Sequence, residues 1–165
     1  MFLKNYTSNV PVSGTIHRIE KVLLRCGVTG ITKDYGDSPA GPTVIAVAFS
    51  IQFNGERKVQ VRLPADVNAA WDALWLDYVG TDKLSHDGNR VDSGYKKKVK
   101  NDFREQAERT AWRIVQDWVE VQMSMIQMRQ ADVVQVFLPY LWDGKRTYYQ
   151  GLKENHFAGL LEAPK

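Results

Sequence analysis

Between Thr43 and Phe53 the chain alternates without a break, with Ile45, Val47, Phe49, Ile51 and Phe53 separated by Ala46, Ala48, Ser50 and Gln52. A period of two does not fit a helix, so this stretch reads as a strand with one apolar face. Asn54-Gly55 follows, a pair that tolerates the positive φ needed at both central positions of a two-residue turn. Val59, Val61 and Leu63 then alternate with Lys58, Gln60 and Arg62. The expectation is a hairpin of Thr43–Phe53 with Glu56–Leu63, its apolar side chains facing helices. Lys58, Gln60, Arg62, Ser50 and Gln52 would face solvent or a partner.

The flanks supply the helices. Ser13 reads as an N-cap, Ile16, Ile19, Val22 and Leu23 share one helical face, and Gly27 closes the segment. Val28 to Thr32 fits a short first strand, and Lys33 to Pro42, with Gly36, Pro39, Gly41 and Pro42, reads as a turn region. Asp66 caps a helix through Tyr78 whose buried side holds Val67, Trp71, Leu74, Trp75 and Tyr78. Gly80 to Lys98 is poor in apolar residues and reads as a mobile loop. The longest helix, about Val99 to Met128, carries Phe103, Ala107, Thr110, Ile114, Trp118, Val121, Met125 and Met128 at spacings of three and four. A short helix over Ala131–Leu138, a turn at Asp143-Gly144 and a final helix over Thr147–Leu161 complete the chain.

The predicted fold class is α+β: a three-stranded antiparallel sheet with helices packed on one face and a long C-terminal helix. With 165 residues, one domain is expected, organised as 12–79, a loop at 80–98 and a helical part at 99–161. The lone Cys26, beside Leu23 and Leu24, rules out an intrachain disulfide and fits a small buried hydrophobe better than a nucleophile. Met1 to Val12 has no apolar core of signal-peptide length, and the longest apolar run, Val44 to Phe49, is too short for a bilayer. The expectation is a chain of the bacterial cytoplasm, away from the membrane.

Catalytic signatures are sparse. His17, His86 and His156 lie in distant segments with no second His or Cys at ligand spacing, and no metal is expected. Asp117 and Glu120, and Glu105 and Glu108, sit one turn apart, a spacing that suits Mg²⁺ or acid–base work. Arg113 four residues before Asp117, with Arg104 and Arg109 around the other pair, makes helix-surface ion pairing the better reading. Neither a Gly-x-Ser-x-Gly elbow nor a phosphate-cradling glycine loop is present. No enzyme and no cofactor are expected.

Charge says more. Lys96, Lys97, Lys98, Lys100, Arg104, Arg109 and Arg113 face only Asp102, Glu105 and Glu108 in the same stretch, a local +4 against +3 for the whole chain. Lysines at a helix start oppose the macrodipole, so helix stability does not explain them. Phosphate tracking does, and a solvated charge run is the competing account. Tyr95 abuts the lysines, Trp112 falls off the apolar stripe, and Trp142 with Tyr140, Tyr148 and Tyr149 brackets Lys145 and Arg146. Aromatic rings interleaved with cations hold the bases and backbone of single strands. The candidate nucleic-acid-binding residues are therefore Lys96, Lys97, Lys98, Lys100, Arg104, Tyr95, Trp112, Trp142, Lys145 and Arg146.

Three stretches, Lys4-Asn5-Tyr6-Thr7, Ala107-Glu108-Arg109-Thr110-Ala111-Trp112 and Val136-Phe137-Leu138-Pro139-Tyr140, resemble small uncharacterised proteins of tailed-phage and prophage genomes. The resemblance covers most of the chain outside Gly80–Lys98 and brings no catalytic residues with it. It implies a phage setting: replication, recombination or counter-defence. The helix–three strands–helix order is also similar in topology to double-stranded-RNA-binding domains and to single-strand annealing proteins. The function expected is a phage-type accessory protein for single-stranded DNA. The alternative is a phage-encoded interaction protein that inhibits or sequesters a host defence component. Expected partners are single-stranded DNA, a host or phage protein, and further copies of the chain.

Overall fold

In a computed structural model, the structure describes residues 3–38, 41–53, 57–81 and 98–158. The protein is α+β, with a three-stranded antiparallel sheet in the order β1-β2-β3. The chain runs α1 (Val12–Arg25), β1 (Gly30–Ser38), β2 (Gly41–Phe53), β3 (Arg57–Pro64), α2 (Val67–Thr81), α3 (Arg104–Gln127), α4 (Val133–Phe137) and α5 (Tyr148–Glu154). A 3-10 turn at Lys100–Phe103 leads into α3, and another at Leu138–Tyr140 follows α4. Two compact units are distinguished: Met1–Arg18 with Ala65–Asp117, and Ile19–Pro64 with Trp118–Lys165. The division falls within α1 and within α3.

The second unit holds the sheet. Val47, Phe49, Val61 and Leu63 are buried, with Phe49 paired to Val61 and Val47 to Leu63. The Phe49 ring meets Phe137 of α4 edge to face at 5.3 Å, so α4 covers this face. The Asn54-Gly55 turn expected here lies outside the described residues, but the register around it departs from a two-residue connection. Phe53 pairs with Arg57, leaving 54–56 between them. Parity requires this. Paired residues share a face, so an odd-numbered apolar set on β2 meets the odd-numbered set on β3 only across an odd number of connecting residues.

β1 is longer than expected. Lys33–Ser38, read as a turn from its glycine and polar content, instead continues the strand and pairs with β2 as far as Ser38↔Gly41. Asp34 pairs with Ala46 and Tyr35 with Val44, so Ile45 is a bulged residue. It is 39% exposed instead of facing the helices, because a bulge ends the alternation locally. Gly36 serves that bulge: a Cβ there would stand 2.8 Å from Ile45 Cγ2. On the opposite face Gln52, Lys58 and Gln60 are exposed, while Arg62 is half-buried. The outer edge of β3 is met by Leu141–Trp142, where Val61 bridges Leu141 and the Trp142 N–H donates to Gln60 O at 2.8 Å.

On α1, Ile16, Ile19 and Leu23 are buried as their spacing predicts, and Gly27 beyond its end takes φ +83°. Ser13 is the second residue of the helix and not its cap. The first unit packs α2 on the start of α3: Val67, Ala70 and Leu74 form a cluster with Ala107 and Ala111, flanked by Leu3, Ala65, Trp71 and Phe103. Asp66 caps α2 by accepting the Ala69 N–H at 2.9 Å. The loop expected at 80–98 lies outside the described residues at 82–97.

The buried face of α3 differs from the expected stripe. Trp112 and Val119 are fully buried, with Met123 nearly so, whereas Val121 and Met128 are exposed. Glu108 and Gln116 are also buried, so the buried line passes through polar residues that a hydrophobic pattern leaves out. Gln116 Oε1 accepts from Arg113 at 2.9 Å and Glu108 pairs with Arg104, which makes their burial tolerable. The final helix stops at Glu154 instead of Leu161, with residues 155–158 in turn conformation, His156 and Phe157 both at positive φ.

Candidate nucleic-acid interface

In the first unit, three of the seven candidate cations, Lys98, Lys100 and Arg104, collect around aromatic rings. Trp71 anchors the arrangement: its Nε1–H donates to Lys100 O at 2.6 Å, which fixes the entry to α3 beside α2. Lys100 Nζ lies 4.8 Å from the Trp71 ring centroid, and the Arg104 guanidinium carbon lies 5.0 Å from it. Lys98 Nζ stands 5.5 Å from the Phe103 ring, and its backbone N–H donates to the Tyr78 hydroxyl at 3.2 Å. Phe103 in turn sits 5.2 Å from Tyr78 and 6.2 Å from Trp75. Trp71, Trp75, Tyr78 and Phe103 are all half-buried, so three cations and four partly open rings form one surface.

The positive run is partly neutralised by its neighbours. Lys100 pairs with Asp72. Arg104 has Glu108 at 3.5 Å and donates to Asn68 Oδ1 at 2.8 Å. Arg109 pairs with Glu105, and Arg113 lies 3.7 Å from Asp117. The helix carboxylates thus form i,i+4 ion pairs. Lys98 meets no carboxylate among the described residues. The Lys100–Asp72 pair has both members well exposed, and such pairs are weak enough for a phosphate to compete.

The second unit gathers Trp142, Lys145 and Arg146 on one tight turn. Asp143 Oδ1 accepts the backbone N–H groups of Lys145 and Arg146, each at 2.8 Å, and Gly144 supplies φ +97°. Those N–H donors, Arg146 first, hold the Asp143 carboxyl below its ordinary range. The Arg62 guanidinium lies 5.0 Å above the Trp142 ring, and Arg62 Nε donates to Asp34 at 2.8 Å. Arg146 pairs with Glu154 and has Asp143 at 3.9 Å. Beside them opens a cleft of about 340 Å³ walled by Leu141, Trp142, Tyr148 and Leu152, with Arg146 and Asn155 at its polar side.

The structure therefore brings the candidates into two groups, Lys98, Lys100 and Arg104 in one unit, and Trp142, Lys145 and Arg146 in the other. Trp112 joins neither: it is 0% exposed, so its ring offers no face to a base. Tyr95, Lys96 and Lys97 lie outside the described residues. The residues that sequence reasoning missed are Trp71, Tyr78, Phe103 and Arg62. Trp71, Trp75 and Tyr78 share a helical face by spacing, but spacing does not reveal that the face is only half covered.

Among the described residues, no three His, Cys, Asp or Glu side chains converge to hold a metal ion. Cys26 is half-buried, and burial pushes its thiol pKa up against a smaller opposing effect of the Gln127 amide. No described helix is long and apolar enough to cross a membrane. Compared with protein-family models, curated proteins and solved structures, the chain finds no match.

Proposed function

We propose that this chain is a non-enzymatic, phage-type accessory protein that binds single-stranded DNA, in replication or recombination. The observation that carries the reading is the Trp71–Phe103 surface, where Lys98, Lys100 and Arg104 stand within 5.5 Å of aromatic rings. Cations supply phosphate attraction and rings supply sequence-tolerant stacking, the two terms that hold single strands. Lys96 and Lys97 extend the positive run next to Lys98 in sequence. The phage setting rests on the resemblance of the three stretches given above.

A salt titration against a labelled oligonucleotide tests the reading. Log affinity falls linearly with log salt, by about 0.7 per phosphate neutralised. Replacing Lys96, Lys97 and Lys98 with Glu abolishes binding and leaves the melting temperature nearly unchanged. Lys98, the one of the three that the structure describes, is exposed, and surface charge changes cost less than about 0.5 kcal/mol each. Wild-type affinity in that variant, or no binding at low salt, overturns the reading.

One observation favours the interaction-protein alternative. Leu76 is 69% exposed, and Val79 and Val99 are exposed as well, all in the first unit. A protein without oligonucleotide affinity that captures a host defence component through these side chains fits that second account.

A further inference from the structure

We infer that the cleft beside α5 in the second unit is a subsite for one nucleotide, taking its base against Trp142 and Tyr148 and its phosphate on Arg146. The inference rests on the single-strand reading and deepens it. The cleft measures about 340 Å³, near the lower end of the roughly 300–1,000 Å³ of ligand pockets, so it suits one base and not a stacked pair. Trp142, Tyr148, Leu141 and Leu152 supply ring and aliphatic lining, and Asn155 brings an amide able both to donate and to accept, as a base edge requires.

Gly151 lines the same cleft, and its ideal Cβ position lies 3.4 Å from Arg146 Nε and 3.7 Å from Cζ, ordinary contact distances that place the guanidinium against this turn of the helix. Arg146 is held by Glu154 and Asp143, but its side chain is 46% exposed and the two carboxylates more so. Pairs this exposed add little, so a phosphate can share the guanidinium at small cost. Trp142 is the better-fixed wall, because Arg62 lies over its ring and its N–H is bonded to β3.

The experiment is calorimetric titration of the full chain with deoxythymidine monophosphate, thymidine and inorganic phosphate. The monophosphate binds at least about tenfold more tightly than either fragment, and Arg146→Ala costs about tenfold or more. Gly151→Leu fills the cleft and abolishes binding, whereas Trp142→Phe retains most of it and Trp142→Ala does not. Melting curves verify each fold, and Arg146→Gln replaces any variant that fails to fold. Equal affinity for inorganic phosphate, or unchanged affinity in Gly151→Leu, overturns the subsite. Long-oligonucleotide binding without monophosphate binding also overturns it while leaving the single-strand reading intact. Cleft-dependent monophosphate binding without oligonucleotide binding upholds the subsite and overturns the strand reading.

Discussion

Arg62 reaches from β3 to place its guanidinium 5.0 Å above the ring centroid of Trp142. Its Nε donates to Asp34 on β1 at 2.8 Å, so one side chain ties two strands to the segment along the outer edge of β3. Cation–π contacts contribute about 0.5–1 kcal/mol when exposed and about 2 when desolvated, and this arginine is only 20% exposed. A urea double-mutant cycle of Arg62→Ala and Trp142→Ala therefore gives a coupling of about 1 kcal/mol. Strict additivity would show that the ring contact contributes nothing.

Phe137 stands between two aromatic rings in the second unit. It is fully buried, with Phe49 at 5.3 Å and Trp118 at 5.6 Å, both edge to face. Phe137→Ala costs about 3–5 kcal/mol. Trp118→Ala costs less, because Trp118 is half-buried, although it also meets Tyr140 at 5.3 Å. Denaturant midpoints rank the two, and the reverse order would put the centre of this core at α3 instead of α4.

These rings show what the sequence could and could not convey. The alternation at Val47, Phe49, Val61 and Leu63 located the hairpin, because burial on one face leaves no other register. Taken jointly, the two odd-numbered sets also excluded a two-residue turn, which Asn54-Gly55 read by itself does not. Gly36 misled for a physical reason: glycine marks turns and close approaches alike, and only the partner strand shows that it clears the bulged Ile45. Trp112 misled because its buried neighbours along α3 are Glu108 and Gln116, whose burial depends on hydrogen-bond partners and not on hydropathy. At the candidate site the basic run was legible. Its partial neutralisation was half legible: Glu108 follows Arg104 by one turn, but Asp72 reaches Lys100 only through the packing of α2.

Asp117 sets an acid-sensitive contact in the first unit. Burial alone would raise its pKa, but hydrogen bonds from Lys4 and Asn5 and the charges of Lys4 and Arg113 outweigh it and hold the carboxyl below its ordinary range. The contacts are Lys4 Nζ at 2.7 Å and Asn5 Nδ2 at 3.0 Å. A depressed folded-state pKa contributes stability that is present above the unfolded value, about 3.9, and lost as pH falls through the lowered one. Asp117→Asn is therefore less stable than wild type at pH 7, and the gap closes progressively below about pH 4. Urea unfolding at pH 7 and pH 3 measures it, and a gap that persists at pH 3 would assign the loss to hydrogen-bond geometry instead of charge.

Asp72 should restrain nucleic-acid binding. Its carboxylate pairs with Lys100, whose Nζ lies 4.8 Å from the Trp71 ring, so a phosphate arriving there must compete with a neighbouring acid. Asp72→Asn removes the competitor and leaves the ring contact in place. Affinity for a labelled single strand rises, and the slope of log affinity against log salt steepens by up to about 0.7, the value for one additional phosphate contact. Lys100→Ala has the opposite effect on both quantities. The double variant decides whether the gain passes through Lys100 or through the general field. If Lys100 contacts phosphate, adding Asp72→Asn to Lys100→Ala restores little, because the released cation is missing. If the gain survives undiminished in the Lys100→Ala background, Asp72 acts only as a long-range negative charge, and Lys100 is not a phosphate ligand.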